Sequence, residues 1–225
     1  MKLSCLQDNL AKGLGIAGRA VPSRTTMPIL GNVLLATDHG QLKLAATNME
    51  LSIVHWVGAR VETEGEITVP ARNFIDLVGT LPPDQVNLDL EESTLTLKLS
   101  CGSVKASFRG ISAEEFPLVP EVDENNGFSI EAEELNTGLS QVTFAASTDE
   151  SHPVLTGVLA EFEGETMTLA AADGFRLSLR KIPLIEPVQN AFSVIIPARA
   201  LSELMRVTSG LEEPVKVSTT RPHNQ

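Results

Sequence analysis

The 225 residues carry 17 Lys+Arg against 29 Asp+Glu, a formal net charge of −12, with 42% apolar and 20% charged residues. That is enough chain for two domains with cores of their own, and no run of eighteen apolar residues offers to span a bilayer. The two cysteines, Cys5 and Cys101, exclude a disulfide scaffold and a cysteine-rich zinc site, while the acidic balance excludes a grip on nucleic acid by bulk charge but not a basic lining on one surface.

Lys2 to Cys5 reads as a strand, and behind it Leu6, Leu10, Leu14 and Ala17 recur at helical spacing, with Asp8, Lys12 and Arg19 on the opposite face. Strands follow over 29–37, over 41–47 across the turn Asp38-His39-Gly40, and over 50–57, where Leu51, Ile53 and Val57 alternate with other residues. After Glu64-Gly65 the order restarts. A strand at 66–69 leads to Pro70, which opens a helix with Ala71, Phe74, Ile75 and Val78 on one face; Pro82-Pro83 stops it, and strands at 86–90, 93–100 and 103–109 complete the set. This is two βαβββ modules. FPLVPEVDENNG, residues 116–127, reads as a linker. Behind it the pattern gives a strand at 128–130, a helix at 132–146, strands at 154–162, 166–172, 175–182 and 192–196, a helix at 198–208 and the short run Val215-Lys216-Val217.

Laid over itself, the chain repeats. PILGNVLL at 28–35 answers PVLTGVLA at 153–160, an offset of 125. LKLAATNMELS at 42–52 answers MTLAAADGFRLS at 167–178, the offset rising to 126 at the closing Leu-Ser, and VPARNFIDL at 69–77 answers IPARALSEL at 196–204, offset 127. The expected domains are 1–120 and 121–225. The second lacks the closing strands of its last module, so a longer natural protein is expected, since such a sheet would leave an edge and an apolar face uncovered.

Gly13-Leu14-Gly15-Ile16-Ala17-Gly18 matches the dinucleotide pattern GxGxxG, and Asp38 follows twenty residues after Gly18. The residues before it look helical where that site needs a strand, and Pro22 and Pro28 interrupt what should be a helix after it, so close helix packing is the expected role of the glycines. Asp149, Ser151 and His152 hold the residue types of a hydrolase triad, but sequence neighbours cannot present that geometry. His39, His55, His152 and His223 show no metal spacing, and no catalytic residue, metal or cofactor is expected. MKLSCLQDNLAKG has no apolar leader, which points to the cytoplasm. What remains is positive charge at matching helix positions: Lys12, Arg19 and Arg24 around the first helix, Arg72 in the second, and in the other copy Arg199 at the place of Arg72, with Arg206 further along that face.

SRTTMPILGNVLL, TNMELSI, VPARNF, AEEFP, AADGFRLS and IPAR, in this order, closely resemble the bacterial DNA polymerase III β sliding clamps, from Met1 to about Val217. The resemblance implies an α+β DNA-clamp fold of repeated domains, each of two βαβββ modules, with helices lining a ring and sheets outside. Family members carry three such domains and pair head to tail as dimers; the third is absent from this chain. The implied function is a non-enzymatic processivity factor that encircles double-stranded DNA without sequence preference. It tethers the replicative polymerase, and its further partners, the clamp loader and repair polymerases, bind through short linear motifs. Arg24 and Arg72 match family positions associated with DNA, and Lys12, Arg199 and Arg206 resemble them in placement. The family's second-domain contact loop falls on Asp149 to Val154, here without a tyrosine. Leu155, Ala172, Gly174, Arg176 and Leu177 correspond to the family's peptide pocket, and Ala106 and Phe108 lie on the strand that pairs across the homodimer. The alternatives are an NAD(P)-dependent enzyme built on GLGIAG and a repeat scaffold without a DNA role.

Overall fold

The computed structural model describes residues 1–120 and 127–219; positions 121–126 of the expected linker lie outside the described residues. The chain divides into two compact units, Met1–Val119 and Pro120–Gln225.

The first unit runs β1 (Lys2–Leu6), α1 (Gln7–Ala17), β2 (Asn32–Asp38), β3 (Gln41–Thr47), β4 (Ser52–Thr63), β5 (Glu66–Pro70), α2 (Ala71–Thr80), β6 (Gln85–Glu91), β7 (Thr96–Cys101) and β8 (Val104–Arg109). Its eight strands form one sheet in the order β5-β2-β3-β4-β1-β6-β7-β8. Each module therefore lends its first strand to the other's meander. The join is β4, which pairs with β3 through Gly58 and with β1 from Ala59 onward, so it runs well past the strand expected at 50–57. At the far ends of the sheet Thr68 and Ile111 exchange backbone hydrogen bonds of 3.2 and 3.0 Å. Only glycine permits that approach, because a Cβ on Gly110 would sit 2.3 Å from the Thr68 carbonyl oxygen.

Both helices bury one stripe against this sheet. At 11 residues α1 is too short to persist alone in water. Its Leu10, Leu14 and Ala17 are fully buried, each leucine contributing about 2 kcal/mol. Gly13 lets the helix lie directly on the strands: a Cβ there would meet Val57, His55 and Leu44 at 2.7–3.0 Å. Leu6, expected in the stripe, instead ends β1 and is exposed.

The second unit runs β9 (Phe128–Ile130), α3 (Ala132–Val142), β10 (Gly157–Glu163), β11 (Thr166–Ala172), β12 (Leu177–Pro183), β13 (Phe192–Pro197), α4 (Ala198–Thr208) and β14 (Val215–Val217). Its strands form a sheet β12-β11-β10-β13 and a pair β14-β9. Leu135, Leu139 and Val142 of α3 and the rings of Phe128, Phe162 and Phe192 meet in its core.

Local differences from the sequence reading have local causes. Pro28–Gly31 and Pro153–Thr156 are 3₁₀ turns, not strand starts, because a proline at the first position suits a turn and the amides of Leu30 and Leu155 close it. A third such turn, Glu92–Thr94, ends in left-handed Leu95, so β7 begins only at Thr96. The helix expected to 146 tightens to 3₁₀ at Thr143–Ala145. Pro70 and Pro197 are the last strand residues and cap α2 and α4 from outside. Phe116, assigned to the linker by its prolines and acids, is buried with Ile29, Leu30 and Ala45 on the outer face of the first sheet.

Candidate functional site

The basic residues singled out by the repeat are all exposed: Lys12 on α1, Arg24 in the loop behind it, Arg72 on α2, and Arg199 and Arg206 on α4. Arg72 and Arg199 occupy the second position of their helices, each after a capping proline. A cation there opposes the helix dipole, costing a few tenths of a kcal/mol, so helix stability does not explain the placement. The Arg206 guanidinium also donates to Glu203 one turn earlier, which offsets its charge locally. Among the described residues, Lys12, Arg24, Arg72 and Arg199 have no acidic partner.

On the second unit, the hairpin between β11 and β12 and the loop before β10 enclose a cleft of about 470 Å³. Leu155, Gly174 and Arg176 line it, together with His152 and Phe175. Ala172 and Leu177 do not line that cleft; they form the cross-strand pair at the mouth of the hairpin, on the outer face, with Leu177 well exposed. Alternation along β12 sends Leu177 to the opposite side from Ser178, and the tight turn keeps it outside the cleft.

That turn is strongly held. Asp173 Oδ1 accepts the backbone N–H groups of Phe175 and Arg176, both at 3.0 Å, and Arg176 Nε donates to Asp173 Oδ2 at 2.8 Å. The Phe175 amide, with the Arg176 bonds, holds the Asp173 carboxyl below the usual carboxylate range. Gly174 adopts φ +90°, which a β-carbon disfavours. The Arg176 guanidinium lies 5.5 Å from the Phe144 ring centroid, over a face that attracts it. Sequence reasoning missed Phe144 and Phe175, the latter fully exposed at the turn's tip. Asp-Gly-Phe-Arg does carry the signal of a side-chain-capped turn, from which an outward Phe175 could have been inferred.

In the loop before β10, Ser151 Oγ and Asp149 Oδ2 both approach His152 Nδ1, at 2.9 and 3.6 Å. A catalytic relay needs the acid on one ring nitrogen and the nucleophile on the other, so these three do not form a triad. Gly13 and Gly15 of GLGIAG lie inside α1 and Gly18 packs against Ile75, which removes the strand-turn-helix geometry of a dinucleotide site. Among the described residues, no cluster of His, Cys, Asp or Glu could hold a metal ion, and no helix is long and apolar enough to cross a membrane.

The expected pairing strand is β8, which ends the sheet. Val104, Ala106 and Phe108 turn inward, Phe108 meeting Phe74 edge-on with centroids 5.1 Å apart. These three side chains are half-buried, and the strand also offers backbone groups along its outer edge. Gly110 N–H donates inward to Leu95, and Ile111 bonds outward to Thr68. By alternation, Lys105, Ser107 and Arg109 point their backbone N–H and C=O groups away from β7, along an edge no described strand covers.

Residues 1–120 match the family description "DNA polymerase III beta subunit, N-terminal domain" and residues 129–224 match "DNA polymerase III beta subunit, central domain". The chain is 40% identical to the beta sliding clamp of Synechococcus elongatus over 210 residues, covering 92% of this chain and 56% of that protein. The DNA polymerase sliding clamp of Bacillus subtilis superimposes with a TM-score of 0.93 at 28% identity, and the DNA polymerase III subunit beta of Pseudomonas aeruginosa with 0.90 at 30%; each comparison covers 98% of this chain and 60% of the other. The chain thus spans less than two thirds of the length of these relatives.

Proposed function

The chain belongs to the DNA polymerase III beta-subunit family, and from that membership we propose that it provides two domains of a DNA sliding clamp, holding a replicative polymerase on duplex DNA without itself doing chemistry. The observation that carries this reading is the recurrence of an exposed arginine, Arg72 and Arg199, at the same helix position in both units, against the helix dipole and without an acidic partner among the described residues. With Lys12 and Arg24 these supply sparse contacts to phosphate. Sparse contacts suit a protein retained by encirclement, which must bind weakly enough to slide.

The cleft at Leu155, Gly174 and Arg176, with Ala172 and Leu177 beside it, receives short linear motifs of the polymerase, the clamp loader and repair polymerases. The free edge of β8 pairs the first domain with another subunit, giving a homodimer in a protein of the relatives' length, acting in the cytoplasm. The test is duplex binding followed against salt concentration in a protein of that length. Loss of affinity with rising salt, without sequence preference, supports the reading; salt-independent binding or none overturns it.

A further inference from the structure

The two modules of the first unit are built alike, yet one of their two matching seams is filled and the other is open. β1 runs into α1 as β5 runs into α2. Leu6 pairs with Gln85 on β6 as Pro70 pairs with Asn32 on β2, and Ser4 lies opposite Arg60 as Thr68 lies opposite Ile111. At the filled seam Asn32 donates to the Thr68 hydroxyl at 3.0 Å, which donates to the Ile111 carbonyl at 2.9 Å, and Asn32 and Thr68 are both buried. After β8 the chain continues over the outer face to bury Phe116, whereas after β4 it turns at Glu64-Gly65 directly into β5.

The open seam holds a cavity of about 440 Å³, within the roughly 300–1,000 Å³ of small-molecule sites. Ser4, Leu6, Gly58, Arg60 and Gln85 line it from three strands, and Asn9 from the first turn of α1. Alternation along β4 sends Val57 and Ala59 to the core and Gly58 and Arg60 outward. Gly58 keeps the floor clear, since a Cβ there would meet nothing within 4 Å. Where the filled seam has a closed hydrogen-bond chain, the side chains of Ser4, Asn9 and Arg60 make no hydrogen bond or ion pair among the described residues, and Gln85 reaches only Asn87, at 3.3 Å. In a chain of net charge −12 this lining carries a guanidinium and no acid: nearby Glu62 is bound to Lys2 at 2.7 Å, and Asp84 accepts the Gln85 backbone amide.

We propose that this cavity binds a carboxylate carried on an aliphatic stem beside an amide, the chemistry of a leucine with a free carboxyl and a blocked amine. The Arg60 guanidinium presents paired N–H donors that match two carboxylate oxygens, and it need not first leave an ion pair. Leu6, 59% exposed, supplies apolar surface for the stem. The Asn9 and Gln85 side chains each offer a donor and an acceptor to the ligand's amide. Such a group comes from a free acylated amino acid or from the C-terminus of a partner chain. The site belongs to the first unit, whereas the cleft lined by Leu155, Gly174 and Arg176 belongs to the second, and the inference does not rest on the clamp reading.

The test titrates the isotope-labelled chain with N-acetyl-leucine and with N-acetyl-leucinamide, following its resonances. Expected are saturable shifts of the Leu6, Gly58 and Arg60 amides in the millimolar range for the acid, and binding weaker by about tenfold or more for the neutral amide. Arg60→Gln should abolish the preference for the acid, and Gly58→Val should fill the cavity and abolish binding of both. Valine suits a strand and its Cβ meets open space, so that variant should keep its fold, which undisturbed Leu44 and Leu99 methyls would verify. A short peptide ending in leucine, with free and with amidated C-terminus, separates the sources. Binding of the free-ended peptide as tight as that of N-acetyl-leucine assigns the site to a chain terminus, and its exclusion assigns the site to a free acid; both support the proposal. Three results would overturn it: no saturable shift with N-acetyl-leucine, equal binding of acid and amide, or unchanged binding by Gly58→Val.

Discussion

Asn48 and Asp173, 125 positions apart, hold the same turn in the two units. Asn48 Oδ1 accepts the amides of Glu50 and Leu51 at 3.0 and 2.7 Å, as Asp173 Oδ1 accepts those of Phe175 and Arg176. Between them stand Met49 at φ +76° and Gly174 at φ +90°, one the counterpart of the other. The offset of 125 therefore continues through the hairpin, since Thr47↔Ser52 and Ala172↔Leu177 close loops of equal length. The Leu-Ser match at 126 is a coincidence of composition.

The left-handed position should be costly for Met49 and cheap for Gly174. A side chain there loses about 1 kcal/mol, of which glycine's greater freedom in the unfolded chain returns part. Gly174→Ala should lower stability by about 1 kcal/mol, and Met49→Gly should leave it unchanged or raise it by less than that. Urea unfolding of both variants checks this; a gain for Gly174→Ala would contradict the strain argument.

Asp173 titrates in a direction that fixes the pH window of the cleft. Its carboxyl is held below the usual carboxylate range by the Phe175 and Arg176 amides, so the folded turn is favoured while the group is ionised and the favour is lost as pH falls through the folded value. The Phe175 and Arg176 amide shifts should stay flat from neutral pH down to about 5 and move together at lower pH. Asp173→Asn, which copies Asn48, should keep the turn and abolish that movement.

Removing the Arg24 and Arg72 charges together should lower the dependence of duplex binding on salt by about two phosphate equivalents in a protein of the relatives' length. Sequence preference should not change. Arg206→Ala should do less than Arg199→Ala, because Glu203 already neutralises Arg206. Anisotropy of a labelled duplex across a salt series distinguishes these; an Arg206 effect equal to that of Arg199 would show that the ion pair opens on DNA.

Much of the fold was legible because period and punctuation agreed. Leu10, Leu14 and Ala17 mark a helix by spacing alone, and Asp38-His39-Gly40 supplies a two-residue turn with His39 and Gly40 both at positive φ. The exchange of β1 and β5 between modules was not legible, since pairing across the sheet is set by tertiary packing. Phe116 was misread for a similar reason: its neighbours are linker-like, and only the groove over Ala45 makes it core. At the site, the charges were legible from the repeat, whereas the inward turn of Ala106 and Phe108 needed the phase of the hairpin.

That phase yields the sharpest prediction for assembly. In β8 the amide of Ala106 points toward β7, opposite Leu99, whereas the amide of Ser107 points to the free edge. Proline removes an N–H and is tolerated on edge strands only where that N–H is unused. Ser107→Pro should fold normally, keep the Phe74–Phe108 contact and fail to pair with another strand, whereas Ala106→Pro should lose a ladder bond and destabilise the first unit by about 3 kcal/mol. In a protein of the relatives' length, sedimentation should then show Ser107→Pro as a folded monomer where the parent is a dimer. A dimer that survives Ser107→Pro would mean that the edge of β8 is not the pairing surface.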